Sequence, residues 1–204
     1  MPQRSTRKLC IPAKLWPYTV AMQPATESAQ PLIRTARASD AGGIARVHVE
    51  SWVDAYAGLL PDAHLIRLRP QAQIASWDRR LASLAGRAGT LVAASEDEIV
   101  GFAHFGMSRD TQGHEESAGE VFMLYVATDW RDQGIGRSLL RHGFAALQLG
   151  GASGAEVWCL AENRAAIGFY QRLGGRRLPV ARLERVGGAD FPVIGYHWEL
   201  PALQ

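Results

Sequence analysis

Arg131-Asp132-Gln133-Gly134-Ile135-Gly136-Arg137 lies between the most strand-like segment of the chain, EVFMLYV at 120–126, and a stretch from about Gly134 to Leu149 that reads as a helix stopped by Gly150 and Gly151. Glycines at a strand-to-helix turn let the backbone approach an anion. The free N–H groups there, with a helix dipole equivalent to roughly half a charge, favour phosphate. The turn is therefore suited to a pyrophosphate. Gly134-x-Gly136 also begins a dinucleotide fingerprint, but the third small residue of that fingerprint would fall at Leu139, and no early strand–helix–strand unit surrounds it.

Working outward, strands and helices interleave in an α+β order. LIRTA at 32–36 reads as a strand, and Ser39 or Asp40 offers an oxygen to cap a helix through Ile44, Val47, Trp52 and Tyr56, broken by LLP at 59–61. After Pro70, the spacing of Ile74, Trp77, Leu81 and Leu84 predicts one inward-packing helix face ending near Gly86. TLVAA at 90–94 and IVGFAHF at 99–105, joined by Glu96-Asp97-Glu98, predict a hairpin, and EVWCL at 156–160 is a further strand. Asn163 is placed to cap a short helix through Ile167, Phe169, Tyr170 and Leu173 that stops at Gly174 or Gly175. Two final strands, about 177–185 and 191–200, flank Gly187-Gly188-Ala189-Asp190. An exposed edge near 191–200 would offer a route to a homodimer.

RDQGIG resembles the R/Q-x-x-G-x-G/A pyrophosphate loop of the GNAT superfamily of acyl-CoA-dependent N-acetyltransferases. LYV at 124–126 is similar to that family's splayed fourth strand, and N-x-x-A-I-x-F-Y at 163–170 followed by LGG resembles its second signature. The order of elements matches from about residue 32 to residue 200. The resemblance implies the GNAT fold, a mixed, mostly antiparallel twisted sheet of about seven strands flanked by helices. It also implies acetyl-CoA as acyl donor, transfer to a primary amine by direct attack in a ternary complex, and no metal. Backbone groups of Leu124, Tyr125 and Val126 would bind the pantetheine arm and polarise the acetyl carbonyl. Arg131, Asp132, Gln133, Gly134, Ile135, Gly136 and Arg137 would hold the pyrophosphate, and Asn163 would both cap its helix and bond the CoA arm. Asp132 departs from the pattern, since many members have glycine there and an acid beside a pyrophosphate weakens binding unless it points outward.

The resemblance places Tyr170 as the acid that protonates the departing CoA sulfur, which suits a phenol of pKa about 10 facing a thiol of about 8.5. A packed helix-face aromatic is the plainer reading of the same residue. Glu120 stands where a base glutamate sits in the histone-acetylating branch; a solvated strand-end acid is its alternative, and His104 on the adjacent strand is a second candidate base. Cys159 reads as a small buried strand residue. Trp52, Tyr56 and the following GLLP, with Trp77 later, resemble a bacterial subgroup of the superfamily, which makes Trp52 and Tyr56 either acceptor-pocket walls or core aromatics. Asp110, Glu115, Glu116 and Glu120 lie in or beside one polar loop and would favour a cationic amine if that loop rims the site.

Composition narrows the alternatives. The 204 residues carry 22 basic and 20 acidic side chains, but residues 1–31 hold Arg4, Arg7, Lys8 and Lys14 against Glu27, so the remainder is slightly acidic. No lysine follows Lys14, which removes Schiff-base, pyridoxal-phosphate and P-loop lysine chemistry from the main body. A near-neutral body argues against a nucleic-acid footprint, and the absence of an apolar run of eighteen excludes a transmembrane helix. Cys10, Cys159 and six histidines show no zinc spacing, and two cysteines make no disulfide framework, so a reducing, cytoplasmic setting is expected. Proline-rich residues 1–31 read as a flexible tail, or as partly untranslated upstream of Met22, leaving 32–204 as the transferase domain. Two other classes stay open: a non-catalytic acyl-CoA-binding regulatory module, and a binding protein whose glycine turn is structural only.

Overall fold

A computed structural model describes residues 30–58, 65–66, 68–83, 88–108, 118–186 and 188–200. The tail up to residue 29, the break at 59–61, Leu84, Gly86, Gly187 and the acids Asp110, Glu115 and Glu116 lie outside the described residues. The strands are β1 (Leu32–Thr35), β2 (Ala88–Ser95), β3 (Glu98–Met107), β4 (Ala118–Val126), β5 (Gly154–Leu160), β6 (Arg176–Val186) and β7 (Ala189–Glu199). The helices are α1 (Ala41–Tyr56), α2 (Pro70–Ala82), α3 (Ile135–Leu149) and α4 (Arg164–Arg172). The strands form one sheet in the order β1-β2-β3-β4-β5-β7-β6. Neighbours are antiparallel throughout, apart from β4 and β5, which run parallel.

β3 is buried from Ile99 to Phe105, which explains its near-continuous apolar run: helices cover both faces of the sheet there. α3 lays Ile135 and Leu139 against Ala93, Val100 and Ala103. On the other face, Ile44 and Val47 of α1 and Trp77 and Leu81 of α2 pack with Val92 and Phe102. The α2 periodicity thus faces inward as the spacing predicts, with Pro70 at the first turn, where a missing N–H costs nothing.

Two expectations are corrected. Neither Ser39 nor Asp40 caps α1 through a side-chain bond. Asp40 ends a short 3-10 turn, accepts the Arg37 N–H at 2.6 Å and takes a two-point bond from Arg34 at 2.7 and 3.0 Å, so its oxygens are committed to the chain before the helix. The Arg34 bond, ahead of the opposing cost of burial, lowers the Asp40 pKa. The segment near 191–200 is also not an edge: β7 lies between β5 and β6, and β6 forms the border. The final hairpin folds back so that its second strand, rather than its first, reaches β5, and chain order does not report that.

The feature that makes room for a ligand is local to β4. Across β3 and β4 the pairing passes from His104↔Met123 to Phe105↔Val121, leaving Phe122 as an extra residue. Such a bulge bends the strand and raises its twist. Parallel pairing with β5 covers only Ala118–Val121 opposite Gly154–Val157, so Leu124, Tyr125 and Val126 diverge from β5 and open the sheet.

Candidate active site

The opening between the strands leads into a cleft of about 900 Å³ lined by Leu124, Val126, residues 130–137 and one face of α4 that includes Arg164, Phe169, Tyr170 and Arg172. Gly134 stands at the N-terminus of α3 with φ +81°, a left-handed backbone conformation that strains any residue with a Cβ. The first α3 amide that finds its acceptor in this turn is Ser138, bonded to Gly134 O at 3.0 Å, so the preceding amides form the free donor end of the helix. Gly136 has a different role, because a Cβ there would sit 3.3 Å from the tip of the Phe169 ring, closer than ordinary contact. The cradle has the donors, the dipole and the bare backbone a diphosphate requires.

Arg131 is spoken for within the fold. Its guanidinium pairs with Asp54 on α1, and its Nε donates to Val126 O at 3.3 Å, tying the turn to both flanking elements. Arg137, Arg164 and Arg172 also line the cleft. Sequence reasoning did not single out Arg164 and Arg172, although a lysine-free body already required its anion contacts to come from arginine. Asn163 caps α4 as expected, its Oδ1 accepting the Ala166 N–H at 3.0 Å.

Asp132 lines the same cleft with φ +59°, in the left-handed region that favours glycine. Replacing it with glycine removes both an exposed carboxylate and the side-chain strain. Asp132→Gly is expected to tighten acetyl-CoA binding about two- to fivefold by calorimetry at low salt, the effect of one screened charge near a helix N-terminus. Unaltered affinity would show that the carboxylate does not act on the bound anion.

Tyr170 projects from α4 into the cleft and is only 6% exposed, packed on Phe169, Tyr196 and Trp198. Burial drives its pKa far up, with smaller contributions from Cys159 and Tyr56, so its proton stays in place at any working pH.

A second cavity, of about 250 Å³, lies on the opposite face of β4. Leu124 and Val126 face the first cleft whereas Met123 and Tyr125 face the second, as successive strand residues must. Trp52, Tyr56, Phe122, Tyr125 and Trp158 form its aromatic walls, and Glu120, Arg182 and Glu184 its charged groups. Trp52 and Tyr56 are thus both brought to this cavity; Trp52 Nε1 donates to the Tyr125 hydroxyl at 2.7 Å, and its ring meets Tyr56 edge-on at 5.0 Å. Trp77, by contrast, is a core residue, 2% exposed.

Glu120 is 8% exposed and accepts from Arg182 Nη2 at 3.2 Å, which excludes the solvated strand-end reading. Burial raises its pKa more than the Arg182 charge and hydrogen bond lower it. His104 is also buried, but it is held by Thr90 Oγ1 at 2.9 Å between the rings of Trp77 and Phe122, and it is not among the described residues lining either cavity. Cys159 faces the second cavity as a neutral thiol, its pKa pushed up to about 11 by burial.

Residues 46–175 match the Acetyltransferase (GNAT) family. The chain belongs to that family. It is 33% identical over 176 residues to the uncharacterized N-acetyltransferase YuaI of Bacillus subtilis, an alignment covering 84% of this chain and 95% of the relative. The fold is shared with yncA of Salmonella typhimurium, solved with acetyl-CoA, at a TM-score of 0.63 and 19% identity over 85% of this chain and 96% of that one. It is also shared with the paia N-acetyltransferase of Thermoplasma acidophilum in complex with coenzyme A, at a TM-score of 0.59 and 18% identity over 82% and 98%. The protein is accordingly a GNAT acetyltransferase with the expected seven-stranded, mostly antiparallel sheet. No helix among the described residues is long and apolar enough to cross a membrane.

Proposed function

We propose that this GNAT domain, beginning at Leu32, transfers the acetyl group of acetyl-CoA to a primary amine by direct attack in a ternary complex. The observation that carries the reading is one strand, the bulged β4, whose alternate side chains line the anion-cradle cleft on one face and the aromatic cavity on the other. Donor and acceptor would therefore meet across a few residues of one strand, which satisfies the proximity a two-substrate reaction needs.

The amides at the start of α3, with Arg137, Arg164 and Arg172, bind the diphosphate end of the donor. Backbone groups of Leu124, Tyr125 and Val126, released from β5, hold the pantetheine arm and polarise the thioester carbonyl. The amine nitrogen, having given up its ammonium proton to solvent, forms a bond to that carbon, the C–S bond breaks, and Tyr170 Oη gives its proton to the sulfur. The phenolate is reprotonated by solvent as CoA leaves, and the proton taken from the amine is released to solvent in turn. Burial keeps the Tyr170 hydroxyl protonated, so it enters the reaction as a proton donor. Glu120, whose pKa is raised chiefly by burial, takes the proton released by the amine, directly or through water.

Calorimetric binding of acetyl-CoA, followed by release of CoA thiol with primary amines, tests the reading; absence of donor binding overturns it. The base assignment has its own test. Wild-type kcat/KM is expected to fall on the acid side with an apparent pKa above that of an ordinary carboxylate, and Glu120→Gln is expected to lose this limb while its donor affinity is unchanged. An acid limb that survives the substitution removes Glu120 as base.

A further inference from the structure

We propose that the second cavity selects a small monocationic primary amine carrying a flat aromatic body, an arylalkylamine, over free amino acids, polyamines and peptide lysines. This rests on the acetyl-transfer reading and names the acceptor class for the same site.

The walls set the body. Five aromatic side chains, Trp52, Tyr56, Phe122, Tyr125 and Trp158, surround a space of about 250 Å³, large enough for one or two rings and too small for a folded surface. These walls are held in place by contacts with one another and with their neighbours. Trp52 is fixed by its bond to Tyr125 and by its edge-on contact with Tyr56, while His48 stacks on Tyr125 at 5.5 Å. Arg182 lies 4.0 Å over the Trp158 ring. Rigid aromatic faces pay little entropy to bind and gain most from a flat partner with which they can make offset or edge contacts.

The charges set the head group. Among the described residues lining the cavity, Glu120 and Glu184 face one cation, Arg182, which is a net charge of one negative unit when both acids are ionised. Arg182 is engaged twice, bonded to Glu120 at 3.2 Å and stacked on Trp158. A substrate carboxylate would have to compete with Glu120 for that guanidinium while facing Glu184, which disfavours free amino acids. One ammonium meets the two acids; a second, on a polyamine, would be desolvated against Val121, Leu160 and Val193. A peptide lysine would fill the cavity with a narrow methylene stem and leave the aromatic faces without a matching ring.

The test measures CoA thiol release with 2-phenylethylamine and tryptamine beside spermidine, free alanine and a lysine peptide at matched concentrations. The arylalkylamines are expected to exceed the other three in kcat/KM by about tenfold or more, as burial of an added ring implies. Trp158→Ala is expected to raise the arylalkylamine KM about tenfold with acetyl-CoA affinity unchanged by calorimetry, and Phe122→Ala gives an independent reading of the same wall. A preference for alanine, spermidine or the peptide overturns the inference. So does acetyl-CoA binding without turnover of either arylalkylamine, which leaves the donor site standing. Failure to bind acetyl-CoA at all overturns the transfer reading beneath it and the inference with it.

Discussion

Tyr170→Phe is expected to lower kcat by about 10²–10⁴-fold, the usual contribution of a positioned general acid, with acetyl-CoA affinity unchanged. The substitution removes one oxygen and keeps the ring. Its edge contact with Phe169 and its neighbours Tyr196 and Trp198, at centroid distances of 5.7 and 6.0 Å, therefore survive, and the fold has no reason to change. What disappears is the hydroxyl, the one ionisable proton that Tyr170 carries. The thiolate must then leave unprotonated or take its proton from water, so the loss falls on turnover rather than on binding. Steady-state rates combined with calorimetry check the split. Undiminished kcat would return Tyr170 to the status of a packed aromatic.

Acidification from pH 6.5 to 4 is expected to remove about 3 kcal/mol of stability through one residue, His48. Its ring is enclosed by Trp52, Trp77, Phe102 and Tyr125, and its Nδ1 accepts from Trp77 Nε1 at 3.4 Å. Burial, followed by the charge of Arg80, pushes its pKa down from 6.5 to about 4. Between those values the unfolded chain binds a proton that the folded chain refuses. Stability is therefore complete above pH 6.5, falls as pH drops toward 4, and loses nothing more from this group below that. Glu120 works in the opposite sense, because its raised folded pKa favours the fold as pH falls, and it partly offsets the loss. Asp40, with a lowered pKa, adds its own loss only as pH falls below the ordinary carboxylate value. Denaturant midpoints measured from pH 4 to 7 should show the slope in the wild type and a much flatter line in His48→Gln. Equal slopes in both proteins would assign the acid sensitivity elsewhere.

The legible parts of this protein are those in which a local rule acts alone. Gly134 marks a left-handed helix start, Asn163 caps α4 through its own side chain, Gly174 ends that helix at φ +80°, and Trp77 and Leu81 face the core as their spacing requires. The misreadings arise where a distant partner intervenes. Asp40 has the composition of a helix cap, but Arg34, six residues earlier, captures its carboxylate. Arg131 lies in the cleft wall where the motif puts it, and what no local rule shows is that Asp54, 77 residues away in sequence, pairs with its guanidinium. Arg164 and Arg172 carry no motif of their own; they matter because α4 borders the opened strands.

The sequence alone determined the family and pointed to the glycine turn and to Tyr170 as candidate site residues, because each is written in spacings shorter than one helix. Tertiary structure decided the rest. It bulged β4 at Phe122, parted Leu124–Val126 from β5, placed β7 inside the sheet, and set Glu120 against Arg182, 62 residues away, in an aromatic cavity. The physical reason is that hydrogen-bond register between strands and the desolvation of a buried carboxylate are properties of pairs distant in the chain. No local pattern encodes the separation of two strands, and that separation is what opens the cleft beside the glycine turn.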